Sequence, residues 1–137
     1  MPNVGEIMTS PPVTVAADTQ IVEVAKRMRD EDIGTVLVTD GNKLEGVLTD
    51  RDLVVRAIAE NADPQGPVGG VTSGSTVSVT PADDVDTAVT LMREHAVRRL
   101  PVVEDGRVAG IVSIGDIAVE RDGRSALADI SAATPNT

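Results

Sequence analysis

Sliding this chain 64 positions along itself brings most of it into register with its own second half. Val4-Gly5 falls on Val68-Gly69, and Val13-Thr14-Val15 falls on Val77-Ser78-Val79. Ile21, Val24, Ala25 and Met28 fall on Val85, Ala88, Val89 and Met92. Ile33 meets Val97, Val38 meets Val102, and Gly46-Val47-Leu48-Thr49 meets Gly110-Ile111-Val112-Ser113. Asp52 then meets Asp116, and no gap is needed anywhere. Register held over about fifty residues is duplication, so the fold is two copies of one small unit. One copy alone buries too little surface to be comfortably stable, and the two are expected to pack on each other.

Each copy yields the same element order. A short strand (Val13 to Val15, Val77 to Val79) precedes Thr19 or Asp83, both favourable helix N-caps. The helix that follows repeats apolar residues at i, i+3, i+4 and i+7, which turns one face to a core. A buried strand comes next (Thr35 to Thr39, Arg99 to Val103), then a turn at Asp40-Gly41-Asn42 or Glu104-Asp105-Gly106. The returning strand runs from Leu44 to Leu48 or Val108 to Val112, and a second helix begins after Thr49 or Ser113. The order β-α-β-β-α predicts an α/β (α+β) fold. Its two repeats are related by a pseudo-twofold axis, as small mixed sheets flanked by helices. Copy one is expected over residues 1–62 and copy two over 68–122, joined by the polar stretch Glu60 to Pro67. The small polar residues 123–137 are expected to be a flexible tail.

Composition narrows the function. The chain has no Phe, Tyr, Trp or Cys, so a flat ligand ring would have to lie between aliphatic side chains and backbone. Without cysteine there are no disulfides, thiolate metal sites or thiol nucleophiles, and one histidine cannot build a multi-histidine metal site. A net charge of −10 repels nucleic acid backbones. No signal-peptide pattern and no apolar run long enough to span a bilayer is present, so a cytoplasmic protein without membrane contact is expected.

The block G-x-x-[ST]-x-x-D occurs twice, as Gly46…Thr49…Asp52 and Gly110…Ser113…Asp116. A hydroxyl three residues before an acid at a helix start forms a capping box, which is a structural role. The same geometry can also serve a ligand. Helix-start amides favour phosphate, and a carboxylate can accept hydrogen bonds from both hydroxyls of a ribose. The two readings are compatible.

The unit V-G-E-I-M with V-T-V, the amphipathic helix, I-G-T-V-L-V and L-E-G-V-L-T-D-R-D-L resembles a cystathionine-β-synthase-type (CBS) motif. The second copy, H-A-V-R-R-L-P-V-V-E-D-G-R-V-A-G-I-V-S-I-G-D-I, is similar and more typical. The resemblance covers Val4 to Asp122 and points to stand-alone bacterial CBS pairs (Bateman modules), including an actinobacterial hypoxic-response type. It implies a regulatory, stress- or energy-sensing homodimer. Its clefts between the two motifs would bind an adenosine-containing ligand (AMP, ADP, ATP or S-adenosylmethionine) and no required cofactor. It would signal to an unidentified protein partner or through self-association. By the same resemblance Asp52 and Asp116 would hold ribose, and Thr49 and Ser113 would sit near ribose or phosphate. Val15, Val79 and Val36 would help sandwich the base, and His95, Arg98 and Arg99 would meet phosphate.

The copies differ where charge matters. Gly34-Thr35 stands where the second copy has Arg98-Arg99, while Arg51 in the first block faces Gly115 in the second. Two clefts built this way would differ in affinity or in the ligand charge they accept. His95 could equally be a helix-end histidine favoured by the dipole, and Arg98 and Arg99 could be solvated partners of the many acids. No nucleophile–base pair, metal set or P-loop glycine pattern occurs, so catalysis is not expected. A scaffold that keeps the caps and binds no nucleotide is the alternative function.

Overall fold

A computed structural model describes residues 2–73, 77–121 and 130; the expected flexible tail, residues 123–137, lies almost wholly outside them. The chain divides into two compact units, with breaks at Pro12/Val13 and Thr76/Val77. These breaks do not coincide with the ends of the repeats, and the leading segment of each repeat packs in the unit of the other. Val68 and Val71, from the start of the second copy, sit in the core of the unit that carries the first copy's sheet. Val4, from the start of the first copy, is fully buried in the core of the other.

In the unit from Val13 onward, β1 (Thr14–Ala16) pairs parallel to β2 (Thr35–Asp40), which pairs antiparallel with β3 (Lys43–Thr49). The helix joining β1 to β2, Ile21–Glu31, buries Ile21, Val24 and Met28, the stripe its spacing calls for. Each such side chain contributes about 1.5–3 kcal/mol when fully buried. After β3 the chain makes one turn of helix, Asp50–Asp52, and continues as a wider π-helix over Leu53–Ile58. Val68–Gly70 is a short 3₁₀ turn.

The other unit joins the short helix Val4–Ile7 to a helix over Val85–His95, then β4 (Arg99–Glu104), β5 (Arg107–Ser113) and the helix Ile114–Arg121. We number the helices α1 (Val4–Ile7), α2 (Ile21–Glu31), α3 (Asp50–Asp52), α4 (Val85–His95) and α5 (Ile114–Arg121). The expected strand at Val77 to Val79 shrinks to one parallel bridge between Val79 and Val102. There the Val79 N–H donates to the Pro101 carbonyl at 3.0 Å, and the Val103 N–H to the Val79 carbonyl at 2.8 Å.

Two local expectations need correction. The N-caps of α2 and α4 are Gln20 and Asp84, not Thr19 and Asp83, and neither caps through its side chain. At α2 the linker does the capping: the Ile21 and Val22 amides donate to the Gly66 and Pro64 carbonyls at 2.9 and 2.8 Å. A helix start served by backbone carbonyls has no need of a hydroxyl. Asp83 instead holds the preceding turn, its Oδ2 accepting the Thr80 amide at 2.8 Å.

Both hairpins turn as their residues require. Asp40 pairs with Lys43 and Glu104 with Arg107, leaving two-residue loops. Asp105 and Gly106 both have positive φ (53° and 77°), the conformation of an Asp-Gly type I′ turn. Each returning strand also carries one extra residue beside its glycine, a β-bulge, in matching places. No helix among the described residues is long and apolar enough to cross a membrane.

The glycine that opens each repeated block makes room for the exchanged segment. Val47 bridges to Ser73, and Thr9 pairs with Ile111 through two backbone hydrogen bonds of 2.9 and 3.1 Å. A Cβ at Gly46 would collide with the Ser73 carbonyl and approach the Thr72 methyl to 2.6 Å. At Gly110 it would lie 2.7 Å from both the Met8 sulfur and the Thr9 carbonyl oxygen.

Candidate functional site

The two helix starts after β3 and β5 are built alike. Thr49 Oγ1 accepts the Asp52 amide at 3.1 Å while Asp52 Oδ2 accepts the Thr49 amide at 2.9 Å. Ser113 Oγ accepts the Asp116 amide at 3.1 Å while Asp116 Oδ2 accepts the Ser113 amide at 2.8 Å. These are complete capping boxes, so the structural role assigned to the repeated motif is present in both copies. Each start is also tied to the residue just before its neighbouring strand. Asp50 donates its amide to the Gly34 carbonyl at 3.0 Å, and Ile114 donates to the Arg98 carbonyl at 2.8 Å. That bond brings the 98–99 segment against the start of α5.

The box engages one carboxylate oxygen and leaves the other. Asp52 Oδ1 lies 3.6 Å from the Arg56 Nε, one helical turn on. The residue in that place after Asp116 is Glu120, and no cation among the described residues pairs with Asp116. A carboxylate has about four acceptor positions, so Asp116 keeps enough for two ribose hydroxyls. The Ser113 hydroxyl keeps its proton for donation, since its oxygen is what the box uses.

A hollow of about 360 Å³ opens at this second start, lined by Arg98, Arg99, Ser113, Ile114, Gly115, Asp116 and Val119. That volume falls in the range of small-molecule sites, roughly 300–1,000 Å³. Two arginines and one aspartate share its lining, a combination that suits an anion with a hydroxyl-rich neighbour. The Gly115 amide belongs to the first turn, where helix geometry supplies no acceptor, and no side chain among the described residues takes it. Ile114 and Val119 are apolar and each 45% exposed, giving the hollow a greasy wall suited to a base.

The residues named from the sequence are thus divided. Ser113, Asp116, Arg98 and Arg99 come together at the hollow. Thr49, Asp52 and Arg51 lie at the first start, where Arg51 is exposed. His95 is exposed at the last position of α4, and it is not among the residues lining the hollow. Val15, Val79 and Val36 are 7%, 2% and 1% exposed, with side chains inside the two cores. With these side chains buried, a ligand could meet only their backbone. Ile114, Gly115 and Val119 were missed as lining residues. Val119 sits three residues after Asp116, on the same helical face, and that spacing is the signal that could have found it. Among the described residues no group of three or more His, Asp or Glu side chains is placed to hold a metal ion.

With the geometry in view, comparison with known proteins identifies the class. A family model for the CBS domain matches residues 4–58 and again 68–122. The chain belongs to the CBS-domain family, as a tandem pair. A CBS domain-containing protein of Bacillus subtilis, YhcV, is 38% identical over 135 residues, covering 96% of each chain. Hypoxic response protein 1 of Mycobacterium tuberculosis is 33% identical over 115 residues, covering 82% of this chain and 80% of its own. The CBS domain protein PAE2072 from Pyrobaculum aerophilum, solved in complex with AMP, is similar with a TM-score of 0.77 and 30% identity. Coverage there is 87% of this chain and 92% of that one. The CBS domain pair of MJ0100, solved with 5′-methylthioadenosine and S-adenosyl-L-methionine, gives a TM-score of 0.79 at 27% identity. It covers 90% of this chain and 98% of its own.

Proposed function

We propose that this protein is a cytoplasmic sensing module, not an enzyme, that binds an adenosine-containing ligand and passes the event to a partner or to its own self-association as a homodimer. The observation that carries this reading is the hollow at Ser113–Asp116, whose lining brings a carboxylate with spare acceptor capacity together with Arg98 and Arg99. Asp116 would accept the ribose hydroxyls, and Arg98, Arg99 and the Gly115 amide would take phosphate. Ile114 and Val119 would cover the base. Support comes from the relatives solved with AMP or with sulfur-containing adenosyl compounds, and from the hypoxic-response relative for a role in stress. Ligand binding shifts an equilibrium only by its differential affinity, so the signal must be a difference between bound and free arrangements.

A second reading has its own observation. Both capping boxes are complete without any ligand, so a structural or protein-interaction role would account for the repeated motif by itself. The absence of Phe, Tyr, Trp and Cys makes the decision simple, because the chain is nearly transparent near 260 nm. A retained adenine compound would show as an unmasked band there. A panel of AMP, ADP, ATP and S-adenosylmethionine is expected to raise the melting temperature, since a ligand at about 100 times its Kd adds about 2.7 kcal/mol. No band and no shift with any of the four would leave the structural role as the function.

A further inference from the structure

Resting on the reading of residues 113–116 as an adenosine-ligand site, we infer that the two helix starts are sorted by charge, and that Asp50 is the residue that denies a phosphate to the first. The repeat register sets Asp50 against Ile114, Arg51 against Gly115, and Gly34 against Arg98. At the first start Asp50 Oδ1 accepts the Arg51 amide at 2.8 Å, the donor whose counterpart at Gly115 has no side-chain acceptor. The same carboxylate leans on the backbone of Gly34: a Cβ there would meet Asp50 Oδ2 at 3.2 Å. The side chain therefore lies beside the residue whose counterpart, Arg98, lines the hollow.

The charges are thereby placed differently at the two starts. One has Arg98 and Arg99 beside an amide that no side chain among the described residues takes; the other has a carboxylate at its first helical position that has already claimed its amide, with Arg51 exposed next to it. Arg56, close to Asp52, further occupies the acid that would meet a sugar. Gly34 contributes to this arrangement because any larger residue would crowd the Asp50 carboxylate. A nucleoside 5′-phosphate fits the second start and is repelled at the first, which tolerates only a neutral or cationic nucleoside.

Titration calorimetry on the full chain with AMP and with adenosine tests this. One equivalent of AMP is expected for the unaltered protein. Arg98→Gly with Arg99→Thr, the residues of the first copy, should weaken AMP by about tenfold or more and leave adenosine unchanged. Asp50→Ile, the residue of the second copy, should admit a second equivalent of AMP. Asp50→Asn, which keeps an acceptor for the Arg51 amide and removes only the charge, should do so more weakly, and melting curves check that each variant is folded. Two equal equivalents of AMP on the unaltered protein, or one equivalent with unchanged affinity in both Asp50 variants, overturns the charge sorting while adenosine-ligand binding stands. Binding of neither AMP nor adenosine overturns the underlying assignment instead.

Discussion

The helix starts at Thr49–Asp52 and Ser113–Asp116 share a capping box to within 0.1 Å in both hydrogen bonds, and the second opens onto a hollow lined by Arg98 and Arg99. What separates them is the side chain at the first helical position and the pair before the adjoining strand. At one start the Asp50 carboxylate lies beside Gly34, whereas at the other Ile114, Arg98 and Arg99 line a hollow. Where the first copy carries Thr35 with a buried, unpartnered hydroxyl, the second carries exposed Arg99. A cap is therefore a frame common to both copies, and its chemistry is decided by neighbours that the cap itself does not constrain.

The largest effect that would test the likeness of the two halves is steric. Gly46→Ala is expected to lose about 2–3 kcal/mol of stability, because a backbone carbonyl blocks the new methyl and cannot swing away. Gly110→Ala should lose less, since one of its two obstacles is the flexible Met8 thioether. Urea unfolding measures both, and equal losses would show that the exchanged segments are held with equal rigidity.

Removing the acids sharpens the functional difference. Asp52→Ala and Asp116→Ala should each cost about 1 kcal/mol, the ordinary worth of a helix cap. Only Asp116→Ala is expected to abolish the thermal shift produced by AMP. Loss of that shift in both variants, at equal stability, would mean that both starts bind the ligand.

A smaller asymmetry lies at the far ends of the first helices. Both α2 and α4 end in a left-handed residue, Asp32 with φ 54° and Ala96 with φ 52°. Glycine relieves strain there, and more so where alanine stands, because aspartate tolerates this conformation better. Ala96→Gly should therefore stabilise by about 0.5–1 kcal/mol and Asp32→Gly by less, read from melting curves.

The smallest effect concerns Arg29 and Asp30. Arg29 holds the Asp30 carboxyl below its ordinary range through a hydrogen bond and its charge. A lowered folded-state value adds stability above the unfolded value that fades as pH falls through the folded one. Both groups are open to water, however, so Arg29→Ala is expected to leave the acid side of the stability profile unchanged. A measurable shift of that limb would show that this surface pair matters to the first half in a way its exposure does not suggest.

Much of the architecture was legible because it is local. The helical stripes, the Asp-Gly turn and both capping boxes follow from residues within a few positions of one another, and Met28 and Met92 fall into the cores as their spacing indicates. The side chains of Val15, Val36 and Val79 are buried in the cores, which leaves only their backbone for a ligand, and that burial depends on packing that no short stretch of sequence displays. Thr19 and Asp83 were sound caps in isolation; at α2 the linker carbonyls of Pro64 and Gly66 take the first amides instead, and before α4 the Asp83 carboxylate is spent on the Thr80 amide.

By itself the sequence determined the duplication, the order of elements and the paired boxes, since each depends on periodicity and short-range hydrogen bonding. Tertiary structure alone decided that Val4 and Val68 serve the opposite units, why Gly46 and Gly110 must be bare, and that Asp50 lies against Gly34. Those are contacts between residues distant along the chain, whose energy depends on which backbones approach one another. No local pattern records that approach.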